Sequence, residues 1–282
     1  MMETKGDLLE RLDELPSLPA VYHRVRQTLE NPDGSLETVA AIIEADPALA
    51  ARLLRVANSA LYGLATKVDT VLRALTIIGA AETHNLVLAT TLVSVFRDLP
   101  LGAVSMRSFW EHSIACGVAA RVIARVGGRA SPDRAYLAGL LHDIGRLPLY
   151  ILEPHIMGAA LQAHRDRQGH LFDLEQQFFG SSHAEIGAAL LRGWAIPEVF
   201  CAAAAHHHRP ALAEHPAPEI AVTHVADLVA NSLRIGTSGA RWTPILDDLA
   251  WRATGLETAQ LRAVVETTIA TTRDVTSAFL EH

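Results

Sequence analysis

Seven side chains of two kinds carry the chemistry this sequence could perform: His112, His142, Asp143, His183, His206, His207 and Asp227. Imidazole nitrogens and carboxylate oxygens together suit Fe, Mn, Zn or Co. Apart from two adjacent pairs, each residue falls on its own helical segment, as the ligands of a site assembled by folding would. The expected cofactor is therefore a divalent metal, as one ion or two. With two ions, Asp143 can serve as a bridge, and a hydroxide held there could attack phosphorus in line. A lone His-Asp pair would mean little in a chain with 14 histidines. Its recurrence with further ligands downstream is what points to a metal pocket.

The elements that must position these groups are helical. Leu140-Leu141-His142-Asp143-Ile144-Gly145-Arg146 reads as an apolar helix stopped at Gly145. Leu137, Leu140, Leu141 and Ile144 line one side, and Gly139, His142 and Asp143 the other. Gly139 leaves a gap through which a ligand would approach His142 and Asp143. His112 lies on a helix from about Ser105 to Val126, on a face shared with Cys116 and Ala119, where small residues admit another helix. Ser182 and Glu185 form a capping box that places His183 in a first helical turn. There the helix dipole disfavours the imidazolium and keeps the ring available to a metal. An Ala-rich helix starting at Ile196-Pro197 leads to His206-His207-His208-Arg209 and is ended by Pro210. Its burial turns at least one of these histidines inward. His224, Asp227 and Asn231 form a polar stripe on a helix from about Glu219 to Leu233.

The remaining segments repeat the pattern. Helices are predicted after the Pro-bearing entry Leu15 to Pro19 and ending before Asn31, after the cap residue Ser35, from Asp46-Pro47, from about Val71 to Gly79 and from about Glu82 to Phe96. Asn58, Ser59 and Tyr62 read as a helix end docked on its neighbour. Further helical segments are predicted from Leu149 to Ala163, from Leu171 to Phe179 and from Glu257 to Phe279. Period-two alternation is absent, so the expected class is all-α. Pro and Gly fall together in Arg97-Asp98-Leu99-Pro100-Leu101-Gly102, which divides the chain into lobes 1–100 and 101–282, with the metal site in the second.

With 50% hydrophobic residues the chain can bury a large core, and a net charge of −7 supplies no general field for nucleic acid. The longest apolar stretch, Leu86 to Phe96, is too short for the ~20 residues of a membrane span. Met1 to Asp7 lacks the features of a signal peptide, and Cys116 and Cys201 lie in small-residue stretches suited to buried reduced thiols. The expected location is the cytoplasm, with neither nucleic acid nor membrane as partner.

The chain resembles the HDOD domain, the regulatory branch of the HD superfamily of metal-dependent phosphohydrolases, over nearly its whole length. The N-terminal half matches through Leu15-Pro16-Ser17-Leu18-Pro19-Ala20, Asp46-Pro47-Ala48-Leu49 and Asn58-Ser59-Ala60, residues the catalytic HD families do not share. The C-terminal half matches through Leu140 to Arg146, His183-Ala184-Glu185-Ile186-Gly187, Trp194-Ala195-Ile196-Pro197 and His206-His207.

The resemblance implies an HD-like helical bundle with an additional N-terminal helical lobe. By it, His112, His142, Asp143 and Asp227 map onto first-metal ligands. His183, His206 and His207 map onto the second-metal ligands of HD-GYP phosphodiesterases. Arg146 falls where those enzymes have a phosphate-binding Lys, which gives it a catalytic role beside Asp143 in a hydrolase. The chain departs from those enzymes at His208-Arg209-Pro210, without their Glu and Gly-Tyr-Pro, and at Ser108, where trinuclear members place a Glu. The implied function is a bacterial signal-transduction module binding a signalling protein or a nucleotide-type effector. The alternative is a metal-dependent phosphohydrolase acting on a nucleotide or cyclic dinucleotide.

Overall fold

A computed structural model describes residues 5–97, 102, 104–215 and 217–281. Among these residues the regular elements are all helical. In chain order they are α1 (Lys5–Glu10), α2 (Ala20–Glu30), α3 (Leu36–Glu44), α4 (Pro47–Ala57), α5 (Val71–Ile78), α6 (Ala80–Phe96), α7 (Met106–Gly127) and α8 (Pro132–Leu141). They continue with α9 (Arg146–Leu152), α10 (Pro154–Arg165), α11 (Leu171–Phe179), α12 (His183–Gly193), α13 (Glu198–His206), α14 (Pro218–Leu233), α15 (Asp248–Thr254) and α16 (Leu261–Leu280). No helix among the described residues is long and apolar enough to cross a membrane.

The chain divides into two compact units. One comprises Met1–Pro16 with Leu99–Ile269, and the other Ser17–Asp98 with Ala270–His282. Each chain end thus groups with the unit that a single cut near residue 100 would not give it. Of the boundary stretch read from the sequence, 98–101 lies outside the described residues.

In the unit built on α2 to α6, local chemistry sets the helix starts. Ser35 Oγ accepts from Thr38 N at 3.2 Å, and Asp46 Oδ1 accepts from Ala48 N and Leu49 N at 3.0 and 3.1 Å. Each such cap contributes about 1 kcal/mol. Beyond α4, Asn58 Nδ2 donates to Leu54 O at 2.9 Å and Val68 O at 2.8 Å, while its Oδ1 accepts from Val68 N at 2.8 Å. The amide therefore ties the irregular segment 58–68 back onto the helix end. Tyr22, Val25, Ile43, Leu53, Leu75 and Phe96 fill the core between these helices.

The other unit is organised around α7, which is buried along most of its length and packs against α8 and α14. Its small residues decide the distance. A Cβ on Gly117 would stand 2.8 Å from Tyr136 O, and one on Gly139 would stand 2.8 Å from Cys116 O and 2.9 Å from Gly117 Cα. α7 and α8 therefore meet backbone to backbone, and Gly139 serves this packing; it is not the ligand approach expected from the sequence. Ala115, Ala119, Ile123, Val222, Val225 and Ala226 continue the same core. Both cysteines are buried and unpaired.

The segment Leu149 to Ala163, read as one helix, is two. Glu153 leaves helical geometry (φ −130°, ψ 55°) and Pro154 opens α10, since proline supplies no N–H to continue α9. α15 was not foreseen; it starts where Asp247 Oδ1 accepts from Leu249 N and Ala250 N.

Candidate metal centre

His142 and Asp143 do not lie within a helix. α8 ends at Leu141, and the chain turns through three short-range bonds: Ile144 N to Leu141 O at 3.0 Å, Arg146 N to Asp143 O at 2.9 Å and Leu147 N to Ile144 O at 3.1 Å. This tightened turn delivers both side chains, at most 1% exposed, to the same interior spot. Gly145 acts by its size here. Its φ of −68° suits any residue, but a Cβ would stand 2.0 Å from His183 O and 2.4 Å from Gly187 N. Its absence lets the start of α12 close on the turn and brings His183 to Asp143.

The two oxygens of Asp143 face different groups. Oδ2 lies 3.3 Å from His142 Nε2 and 3.6 Å from His112 Nε2, and Asp227 Oδ1 lies 3.3 Å from His112 Nε2 and 3.4 Å from His142 Nε2. Oδ1 lies 3.0 Å from His183 Nε2 and 3.7 Å from His207 Nε2. His208 Nε2 completes this second group, 3.1 Å from His183 Nε2. Within His112, His142 and Asp227, and within Asp143, His183, His207 and His208, the ligand atoms lie no more than 4.8 Å apart.

The structure thus brings together six of the seven side chains proposed from the sequence, and His206 is not among them. α13 ends at His206, and the helical turn beyond it carries His207 and His208 inward. His208 takes the place assigned to His206. The third histidine of the run was the available signal, but burial of the preceding helix implied only that at least one of the three turns inward.

Tautomers are set from outside. His142 Nδ1 lies 2.6 Å from Gly139 O and His207 Nδ1 lies 2.8 Å from Ala204 O, so each Nδ1–H donates to a carbonyl and each Nε2 is the nitrogen that faces the centre. His183 Nδ1 donates to Glu175 Oε2, and its backbone N–H donates to the same oxygen at 3.0 Å. His183 Nε2 and His207 Nε2 then face each other across 3.4 Å. His142 Nε2, both ring nitrogens of His112 and Asp143 Oδ1 are buried without a hydrogen-bond partner. Buried polar atoms are seldom left so, and cations bound at the centre would satisfy His142 Nε2, His112 Nε2 and Asp143 Oδ1.

Charge leads to the same conclusion. Asp143, Asp227 and Glu175 are buried carboxylates, and Arg146 is the guanidinium buried among them. Burial raises the pKa of Asp143, yet Arg146, His142 and His183 hold it well below the usual range. Burial likewise opposes ionisation of Asp227, which His112 and His142 nevertheless keep well below its ordinary value. Burial opposes protonation of His142, but Asp143 outweighs it and the pKa is raised.

At His183, burial and Arg146 both oppose protonation, yet Glu175 and Asp143 raise the pKa above the ordinary value. Two carboxylates beside the ring thus oppose the helix dipole at this residue. His207, by contrast, is pushed down to about 3 by burial and then by the charges of His142 and His183, and burial lowers His208 as well. A centre that draws positive charge to some imidazoles while others stay neutral fits a divalent cation.

Arg146 is 2% exposed. Its Nη1 donates to Asp143 Oδ2 at 2.5 Å and to Ser238 Oγ, and its Nε donates to Glu175 Oε1 at 3.2 Å. Ser238 in turn donates to Asp143 Oδ2. Ser238 belongs to the loop after α14, whose Gly236 (φ +61°) and Gly239 (φ +125°) adopt backbone angles that favour glycine. Sequence reading missed Ser238 for lack of local patterning. It also missed Glu175, although a lone acid on the apolar face formed by Leu171, Leu174 and Phe179 was a usable signal. Asn231 donates to Asp227 Oδ1 at 2.7 Å. His224 turns away to bind His207 O and the N–H of Asp247. A cavity of about 180 Å³ lies beside the centre, lined by Asp227, Arg146 and His208 together with Phe172, Trp242 and Arg209.

Comparison with known proteins matches residues 15–210 to the HDOD domain. The chain belongs to the HDOD family. A Treponema pallidum (strain Nichols) protein described only as uncharacterized is 29% identical over 232 residues, which is 81% of this chain and 44% of that relative. The chain thus spans less than half the length of that relative. An HDOD domain protein of unknown function from Geobacter sulfurreducens superposes with a TM-score of 0.81 at 23% identity, covering 98% of this chain and 99% of that one. A protein of Shewanella amazonensis SB2B, provisionally named a phosphohydrolase, gives 0.78 at 22% identity, with 99% and 100% covered. One from Marinobacter aquaeolei VT8, provisionally named a signal transduction protein, gives 0.73 at 20% identity, with 98% and 61% covered. At these identities the structures establish the HDOD fold as a helical one.

Proposed function

We propose that this HDOD chain is a signal-transduction module that binds a divalent metal in its helical bundle and responds to a signalling protein or a nucleotide-type effector. The observation that carries the regulatory reading is the state of Arg146. In a hydrolase this cation would meet phosphate, but here its Nε and Nη1 are engaged by Glu175, Asp143 and Ser238 inside the protein. The adjoining cavity, with Phe172, Trp242 and Arg209 on its walls, supports a small planar or anionic effector.

The division of Asp143 between two donor groups favours a second reading, a phosphohydrolase acting on a nucleotide or cyclic dinucleotide. A metal pair bound there would activate water and polarise a phosphoryl oxygen. The chain's own contribution would be Asp143 as the shared ligand, Asn231 holding Asp227 in place, and Arg146 offsetting charge if it were freed from Ser238.

Loading untagged protein with Fe, Mn, Zn or Co and assaying wild type against Asp143→Ala on nucleotides and cyclic dinucleotides separates the readings. The regulatory reading expects metal uptake, a higher melting temperature with metal, and no turnover above the Asp143→Ala background. Turnover by wild type that Asp143→Ala abolishes would establish the hydrolase instead.

A further inference from the structure

Among the histidines of the two donor groups, His183 differs in what holds its outer nitrogen. His142 and His207 lean on neutral carbonyls, whereas His183 Nδ1 leans on the carboxylate of Glu175, which is fully buried. A carboxylate in that position fixes the ring and makes the inner nitrogen more basic than a carbonyl does. The same carboxylate closes a ring of contacts. Oε2 binds the His183 backbone N–H at 3.0 Å, and Oε1 accepts from Arg146 Nε at 3.2 Å. Arg146 Nη1 reaches Asp143 Oδ2 at 2.5 Å, and Asp143 Oδ1 returns to His183 Nε2 at 3.0 Å. Burying a carboxylate in the apolar face of α11 is costly unless it is paired, and both of its oxygens are committed to the centre.

We infer that Glu175 is the positioning residue of the histidine-rich half-site, making Asp143, His183, His207 and His208 hold a divalent ion more tightly than His112, His142 and Asp227 hold theirs. The inference rests on the metal-binding reading above. Glu175 orients a ligand and strengthens it, and touches no ion itself.

Titration of the full chain with Co²⁺, followed by d–d absorption and by metal content after dialysis, tests it. Wild type is expected to take up two ions. Glu175→Gln should weaken one of them 10- to 100-fold and leave the other as in wild type. Glu175→Asp, which keeps the charge but shortens the reach, should fall between. His112→Ala should weaken the ion that Glu175→Gln spares. The low-field proton resonance of His183 Nδ1–H should vanish in Glu175→Gln, which a merely structural role would not require. Two ions bound by Glu175→Gln with wild-type affinity, or both weakened equally in a folded variant, would overturn the inference. Should Glu175→Gln fail to fold, wild-type affinity at both sites in Glu175→Asp would overturn it. Wild type that takes up no Co²⁺ would defeat the metal-binding reading first, and the inference with it.

Discussion

At the scale of residues, Asp143 is the point of convergence, since one carboxylate presents Oδ2 to His142 and His112 and Oδ1 to His183 and His207. His208→Ala should therefore lower the metal content of the loaded chain, while His206→Ala, two positions earlier and outside both donor groups, should leave it unchanged; plasma emission spectrometry reads the difference. His164 supplies a test of pH dependence away from the ligands. Its Nδ1–H donates to Gly169 O at 2.8 Å and its Nε2 accepts from Arg241 N at 3.0 Å, and burial, opposed by Gly169 and aided by Arg146, lowers its pKa. The unfolded chain takes up a proton at about pH 6.5 that the folded chain resists, so this stability is complete above that pH and is lost as pH falls. Between pH 7.5 and 5.5 the change in urea midpoint should be less destabilising in His164→Gln than in wild type. Ligand types could be read from the sequence because imidazoles and carboxylates stand out on apolar helices. The choice between His206 and His208 could not, because it depends on how the chain turns past the end of α13.

At the scale of elements, absent side chains set the geometry. Gly139 and Gly117 let α7 and α8 meet at their backbones, and Gly145 lets α12 start against the turn that carries Asp143. Gly139→Ala should cost about 1 to 3 kcal/mol in denaturant unfolding, the usual price of overpacking. Gly145→Ala should also weaken metal binding, because the shift it forces falls on His183. Gly193→Ala, where an added Cβ meets nothing within 4 Å, should do neither. Helix existence was legible from apolar spacing, and starts were legible where Ser35 and Asp46 announce their own caps. Gly145 was legible only as a stop signal. That it admits another helix follows from a neighbour forty residues further on, which local patterning does not encode. The loop bearing Ser238 escaped for the same reason, since its contacts are to residues about ninety positions earlier.

At the scale of the molecule, an all-helical chain of the HDOD family places a centre with more buried carboxylates than buried guanidinium groups inside one of its two units. The fold class was readable throughout, because neither lobe has strand periodicity and turn signals separate the helices. The grouping of the chain ends was not, since residues 1–16 and 270–282 carry no sequence mark of the unit they join. The central claim is that this centre holds divalent metal on both sides of Asp143. Anomalous diffraction from crystals of the metal-loaded chain, recorded on either side of the metal's absorption edge, tests it most directly. The account predicts one peak among Asp143 Oδ1, His183, His207 and His208, and a second among Asp143 Oδ2, His112, His142 and Asp227. A loaded crystal with no peak at either position would contradict it.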